Sequence, residues 1–159
     1  MSTTAMRVEF INPFIGATKR VFETMIGVTV ERGLPYLRKP GETHEGLIGV
    51  IGLTGGAIGI AAICVSNDAA INICERFIGS RPDEVDAEVI DAVGELINMI
   101  AGNAKSQLES YELSISLPSI IRGKEQAIDF PQQINPICIP FSSPIGNFLI
   151  QIGFSVPTT

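Results

Sequence analysis

The stretch from Gly46 to Val65, GLIGVIGLTGGAIGIAAICV, decides between two folds. Its twenty residues carry no charge, a length that would suit a membrane-spanning helix. However, six of the twenty are glycines, which weaken a helix, and Gly55-Gly56 lies between two β-branched segments as a hairpin turn does. The flanking residues are acidic, with no Lys or Arg beside them to anchor a membrane helix. We therefore expect a hairpin of two strands, at about 46–54 and 57–65.

The rest of the chain alternates helical and strand patterns around this hairpin. Helices are expected at 13–26, from the Ser66-Asn67-Asp68 cap to Gly79, and at 84–110, with further strands at 28–37, 112–121, 134–141 and 146–155. Short connections favour antiparallel pairing. We expect an α/β fold in which helices pack on a largely antiparallel sheet of about six strands. The 159 residues suit one domain, 1–159, because no linker divides them.

Composition excludes several classes of protein. At 45% hydrophobic and 18% charged residues, the chain is too apolar to be disordered. Its net charge of −6 makes nucleic acid or an anionic membrane surface an unsuitable partner. No signal-peptide pattern is visible at the beginning of the sequence. We expect a cytoplasmic protein that is not inserted in a membrane.

The three cysteines and the one histidine do not suggest a reactive or metal centre. Cys64, Cys74 and Cys138 lie in apolar surroundings, lack metal-ligand spacing and are expected to be buried thiols in a reducing compartment. His44 lies in the polar segment KPGETHE and is expected to be a solvated loop residue. No serine stands in the context of a nucleophile elbow.

The segment 84–111, EVDAEVIDAVGELINMIAGNAKSQLESY, carries the most informative pattern. At about 100° per residue, one side of this helix is apolar and should face the sheet. That side consists of Val89, Val93, Leu96 and Ile100. The opposite side is polar and consists of Glu84, Glu88, Asp91, Glu95, Asn98, Gly102 and Lys105.

This polar side has two interpretations. Polar residues on a surface helix are ordinarily just solvated. Yet Gly94 and Gly102 each cost a helix about 1 kcal/mol relative to Ala, so they indicate close approach, either by a neighbouring element or by a partner protein. Asp91, Glu95 and Asn98 stack within about 10 Å. A carboxylate can dock on a partner's Lys or Arg, and an Asn amide can orient a water molecule.

The sequence Asp91-Ala-Val-Gly-Glu95-Leu-Ile-Asn98 resembles the D/S-x3-E-x2-N centre of the CheC/CheX/FliY family of chemotaxis phosphatases. The resemblance extends to AVGELINMIAGNAKSQLE with the later Leu117-Pro118, to the early helix with Asn12-Pro13, and to VIGLTGGAIG ahead of a second strand. It covers nearly the whole chain and is strongest for CheX-type members.

This resemblance implies a phosphoaspartate phosphatase that acts on a phosphorylated CheY-like response regulator. Glu95 would form a salt bridge to the regulator's active-site lysine, and Asn98 would enter its acyl-phosphate pocket to orient water for in-line attack. Asp91, Gly94 and Gly102 would contact the partner. The Mg²⁺ of the reaction belongs to the regulator, so no metal or other cofactor is expected on this chain.

The chain also departs from the family pattern. Pro118 lies closer to Asn98 than the family's trailing proline does, so the helix is expected to be shorter or to end differently. The first helix, NPFIGATKRVFETMIG, lacks the second E-x2-N of CheC-type members, which leaves one centre, as in CheX. CheX resemblance also implies a homodimer with joined sheets, for which the strand 146–155 is available. The alternative function is a non-catalytic module that binds a regulator or another signalling protein.

Overall fold

The computed structural model describes residues 8–130 and 134–156, which form a curled antiparallel sheet with three α-helices. The helices are α1 (Val8–Val21, continued by a π-helical turn at Phe22–Ile26), α2 (Asn67–Ile78) and α3 (Ala87–Lys105), with a 3₁₀ turn at Glu109–Tyr111. The strands are β1 (Glu31–Arg32), β2 (Tyr36–Leu37), β3 (His44–Thr54), β4 (Ile58–Val65), β5 (Ser114–Ile115), β6 (Ser119–Gln126), β7 (Ile137–Ser142) and β8 (Phe148–Ser155).

The predicted antiparallel α/β architecture is confirmed, although the described residues form eight strands and not six. The strand order is β1-β7-β8-β4-β3-β5, with β2 also on β7 and β6 also on β3. Two predicted strands are each broken in two. The stretch 28–37 is interrupted between Arg32 and Tyr36, and 112–121 is interrupted between Ile115 and Ser119. A proline lies in each interruption and has no N–H for the sheet.

The glycine-rich stretch folds as the predicted hairpin. Strands β3 and β4 pair from Leu47↔Val65 to Thr54↔Ile58. At the turn, Gly55 has a φ of +152°, and a Cβ there would lie 2.6 Å from the carbonyl oxygen of Glu112. Only glycine fits this position. Among the described helices, none has both the length and the apolar character needed to cross a membrane.

Two helices have boundaries that differ from prediction. Helix α1 begins at Val8 and contains Pro13, so the interpretation of Asn12-Pro13 as a helix start was wrong. Helix α3 begins at Ala87 because the Asp86 carboxylate accepts a hydrogen bond from the N–H of Val89 at 3.0 Å, and it ends at Lys105. The helix is therefore shorter at both ends than the predicted 84–110. Ser66 caps α2 as predicted, and Gly79 ends it at a φ of +82°.

The core lies between the three helices and one face of the sheet. The four predicted inward residues of α3, from Val89 to Ile100, are fully buried. Strand alternation places a second, smaller cluster on the other face, which contains Ile48, Ala62, Cys64 and Ile128. All three cysteines are free and buried, as predicted. Burial raises the pKa of Cys64 to about 12, so its thiol is inert.

Strand β8 does not lie at an edge of the sheet. It pairs with β4 on one side and β7 on the other, so residues 146–155 are not available to join a second sheet. In the described part of the chain, the edges of the sheet are β1 and β2 at one end and β5 and β6 at the other.

Candidate active site

Helix α3 presents the three motif side chains on its outward side. Asp91 and Glu95 are exposed and Asn98 is half-buried, while the intervening Val93 and Leu96 are fully buried. Because three or four residues make one turn, Glu95 and Asn98 lie on adjacent turns, with their Cβ atoms about 5–6 Å apart. The apolar residues hold the helix on the sheet and thereby fix the direction in which the two polar side chains point.

These side chains are not used to hold the fold together. Across residues 8–130 and 134–156, no hydrogen bond or ion pair engages the carboxylates of Asp91 and Glu95 or the amide of Asn98. Asn103, further along the same helix, provides a contrast. Its Oδ1 accepts hydrogen bonds from Arg20 of α1, from Nη2 at 2.6 Å and from Nε at 3.0 Å. One asparagine of α3 is therefore structural, and the other has its amide free to bind.

The two glycines of α3 have different surroundings. Gly94 is buried, and a Cβ there would meet Pro118 Cγ at 3.6 Å and Ile120 Cδ1 at 3.7 Å. These are ordinary van der Waals distances, so the chain itself covers Gly94, at the interruption between β5 and β6, but would also accommodate a methyl group there. Gly102 is half-buried and has open space in front of it. Of the two, Gly102 has room for a partner, one turn beyond Asn98.

The outward side of α3 is acidic. Glu88, Asp91 and Glu95 are all exposed on it, and Lys105 is its one basic residue, at the far end of the helix. Such a surface attracts a cationic group. The described residues contain no group of three or more His, Cys, Asp or Glu side chains arranged to hold a metal ion.

His44 was predicted wrongly. It begins strand β3 and is half-buried, with its Nε2 at 2.9 Å from Nε2 of Gln151 and at 3.7 Å from Oε2 of Glu42. Burial lowers the pKa of His44. The Tyr36 hydroxyl donates to the same Glu42 carboxylate at 2.9 Å, and burial together with this bond raises the pKa of Tyr36. The burial of His44 was not visible in the sequence, because its partner Gln151 lies 107 positions away.

Comparison with known proteins identifies the family and supports the fold. The family model of the chemotaxis phosphatase CheX matches residues 47–142, a range that contains the Asp91, Glu95 and Asn98 motif. The CheY-P phosphatase CheX of Thermotoga maritima is 27% identical over 126 residues, which cover 77% of this chain and 81% of that protein.

Solved structures agree with this match. A CheC-like superfamily protein from Shewanella sp. PV-4 superposes with a TM-score of 0.86 at 34% identity, covering 94% of this chain and 99% of the other. The CheX of the CheX–CheY–BeF3–Mg²⁺ complex from Borrelia burgdorferi has a TM-score of 0.78 at 25% identity, covering 96% and 100%. With the family match spanning more than half of its residues, this chain belongs to the CheX family of chemotaxis phosphatases.

Proposed function

We propose that this protein hydrolyses the acyl phosphate of a phosphorylated CheY-type response regulator, with Glu95 and Asn98 as its active residues. The observation that carries this proposal is the placement of a free carboxylate and a free amide one turn apart on the outward side of α3. The relative from Thermotoga maritima is a CheY-P phosphatase, and the Borrelia burgdorferi complex joins a CheX to a CheY.

Glu95 binds the regulator in this proposal. An exposed carboxylate on an acidic helix face pairs favourably with the ammonium group of a regulator lysine. The pair brings the regulator's phosphorylated pocket against α3 and fixes the angle of approach. Asp91, one turn before Glu95, adds negative charge on the same side and contacts the partner.

Asn98 orients the attacking water molecule in this proposal. Its amide offers one acceptor and two donors, so it can hold a water molecule but cannot take its proton as a strong base. Catalysis therefore comes from positioning, which places the water in line with the bond between phosphorus and the aspartyl oxygen. The half-burial of Asn98 supports this role, because a partly enclosed side chain has fewer orientations to lose on docking.

In this proposal, the regulator neutralises the charge of the transferred phosphoryl group. The regulator carries the Mg²⁺, and this chain binds no metal or other cofactor. Metal analysis of the purified protein, washed free of added Mg²⁺, tests this part. Stoichiometric metal on the isolated chain would contradict it.

The central test is the rate at which a phosphorylated CheY-type regulator loses phosphate, with and without this protein. We expect catalytic acceleration that Asn98→Ala abolishes while regulator binding is retained. Asn12→Ala is a matched control, since Asn12 is an exposed asparagine on α1. Glu95→Ala is expected to weaken binding about tenfold or more, because a charged hydrogen bond contributes about 1.5–3 kcal/mol.

Binding to the regulator without any acceleration by the wild-type protein would support the alternative function, a non-catalytic binding module. Acceleration that survives Asn98→Ala would contradict the role of the amide. Equal loss of folding in the Asn98 and Glu95 variants would instead indicate that the motif is structural.

We also propose that the protein acts as a homodimer. Strand β6 supports this, because it pairs only with β3 and is otherwise an edge of the sheet among the described strands. Light scattering on the eluting protein tests the proposal, and a monomeric mass at the concentrations of the phosphatase assay would reject it.

A further inference from the structure

The most exposed large apolar side chain in the described residues stands beside the active site. Leu117 is 88% exposed and lies in the interruption between β5 and β6. We propose that Leu117 is an anchor for the response regulator, inserting into an apolar patch next to its acyl-phosphate pocket. This inference rests on the proposed function and adds a second contact to the one made by Glu95.

Contacts of the neighbouring proline fix where Leu117 lies. Pro118 approaches the Gly94 position of α3 within 3.6 Å of where a Cβ would be. Asn98 lies one turn beyond Gly94 and is rotated from it by only about 40° around the helix, toward the outward side. Leu117 is joined directly to Pro118, so it borders the flank of α3 that carries Asn98. In this proposal, a partner that places its phosphorylated pocket over Asn98 also covers Leu117.

The backbone that carries Leu117 is held in place before any partner arrives. The Gly52 N–H donates to Ser116 Oγ at 2.9 Å, and the Ser116 N–H donates to the Gly52 carbonyl at 2.9 Å. The Ser116 hydroxyl also donates to the carbonyl of Leu117 at 3.0 Å. Pro118 restricts the chain on the other side. Because this backbone is already ordered, docking costs only the rotamer entropy of the Leu117 side chain, which favours its use as an interface anchor.

The acidic charge and the exposed Leu117 of this surface together indicate what kind of partner surface it binds. Around the helix, Asp91 and Glu95 lie on one side of Asn98 and Gly94 lies on the other, where it is covered by Pro118, the neighbour of Leu117. The complementary surface has a cation and an apolar patch on opposite sides of the phosphorylated pocket. An apolar anchor bordered by polar contacts is the usual arrangement at the centre of an interface. A single exposed Leu far from the active site would not indicate an interface.

Leu34 provides the matched control. It is 83% exposed, nearly as much as Leu117, but it lies between β1 and β2 at the opposite end of the sheet. Leu117→Asp and Leu34→Asp therefore make the same chemical change on comparably exposed leucines. The probe is a CheY-type regulator that the wild-type protein dephosphorylates, activated with beryllofluoride and Mg²⁺ and titrated by calorimetry.

We expect Leu117→Asp to raise the dissociation constant about tenfold or more, equivalent to about 1.4 kcal/mol, and Leu34→Asp to leave it within about twofold. Leu117→Ala should raise the half-saturating regulator concentration while leaving the saturating hydrolysis rate within about threefold, since an anchor binds but does not orient water. Circular dichroism confirms that each variant is folded.

Unchanged affinity in Leu117→Asp would overturn the anchor while leaving the phosphatase proposal intact, because Asn98→Ala tests that separately. A loss of affinity of the same size in Leu34→Asp would also overturn it, since the effect would then come from added charge alone. A wild-type protein that neither binds nor dephosphorylates any regulator of a panel would overturn both.

Discussion

At the scale of single residues, Asn98 and Asn103 show how two identical side chains on one helix take different roles. Asn103 is held by two hydrogen bonds from Arg20, whereas Asn98 has none within the described chain. We expect Asn103→Ala to lower the free energy of unfolding by about 1 kcal/mol, and Asn98→Ala to change it by less than about 0.5 kcal/mol. Urea denaturation measures both. Arg20→Ala should reproduce the loss seen with Asn103→Ala, and a destabilised Asn98 variant would contradict the assignment.

His44 makes the stability of the fold depend on pH. Burial lowers its pKa below the ordinary value of 6.5, so the folded state prefers the neutral ring. As the pH falls below that ordinary value, the unfolded chain takes up the proton more readily than the folded one. The free energy of unfolding should therefore decrease between pH 7 and pH 5.5. Below that range, carboxylates begin to contribute.

The variant His44→Gln isolates this contribution, because Gln keeps a hydrogen-bonding group near Gln151 but does not titrate. Its free energy of unfolding should change less than that of the wild type between pH 7 and pH 5.5. Parallel pH profiles for the two proteins would show that His44 is not the responsible group. Arg38 also lowers the pKa of His44, and Glu42 raises it. Removing the Arg38 charge should bring the pKa of His44 closer to its ordinary value, so Arg38→Met should reduce the loss of unfolding free energy between pH 7 and pH 5.5.

At the scale of elements, Gly102 lowers the stability of α3 but leaves room for a partner. Gly102 faces open space, so Gly102→Ala should raise the free energy of unfolding by up to about 1 kcal/mol without a clash. The added methyl group lies one turn from Asn98, so affinity for the regulator should fall. Thermal denaturation and calorimetry measure the two effects. A variant that is stabilised and binds as well as the wild type would remove Gly102 from the interface.

The elements also show what sequence patterns can and cannot predict. The buried side of α3 follows from the helical period at Val89, Val93 and Leu96, and the hairpin follows from the glycine pair between β-branched runs. Both signals are local. The side chain of Leu117 is exposed because its strand is interrupted, and His44 is half-buried because it meets distant Gln151. These facts depend on tertiary contacts, which no short stretch of sequence contains.

The motif was predictable because its signal is also local. Asp91, Glu95 and Asn98 lie within eight residues of one helix, so the spacing alone places them on one side. What the sequence left open was whether the glycines were approached from within the chain or from outside. The structure answers this for Gly94, which Pro118 covers, and leaves Gly102 open to solvent.

At the scale of the whole molecule, charge sets the conditions under which the proposed complex forms. The chain has a net charge of −6, and the active side of α3 adds a local acidic surface to that field. Attraction between such a surface and a cationic site weakens as salt shortens the screening length, from about 10 Å at 0.1 M to about 3 Å at 1 M. Regulator binding should therefore weaken steadily with ionic strength.

Replacing Glu95 by Gln tests which charge causes the salt dependence of regulator binding. Glu95→Gln keeps the shape of the side chain and removes its charge, so binding should be weaker at low salt and should depend less on salt than in the wild type. Glu23→Gln, a change at an exposed glutamate on the π-helical turn, removes the same amount of net charge away from the site. If both variants shift the salt dependence equally, the overall field steers the regulator. A larger effect of Glu95→Gln indicates a direct pair, because a contact between two charges is local, whereas the field of the whole molecule is not.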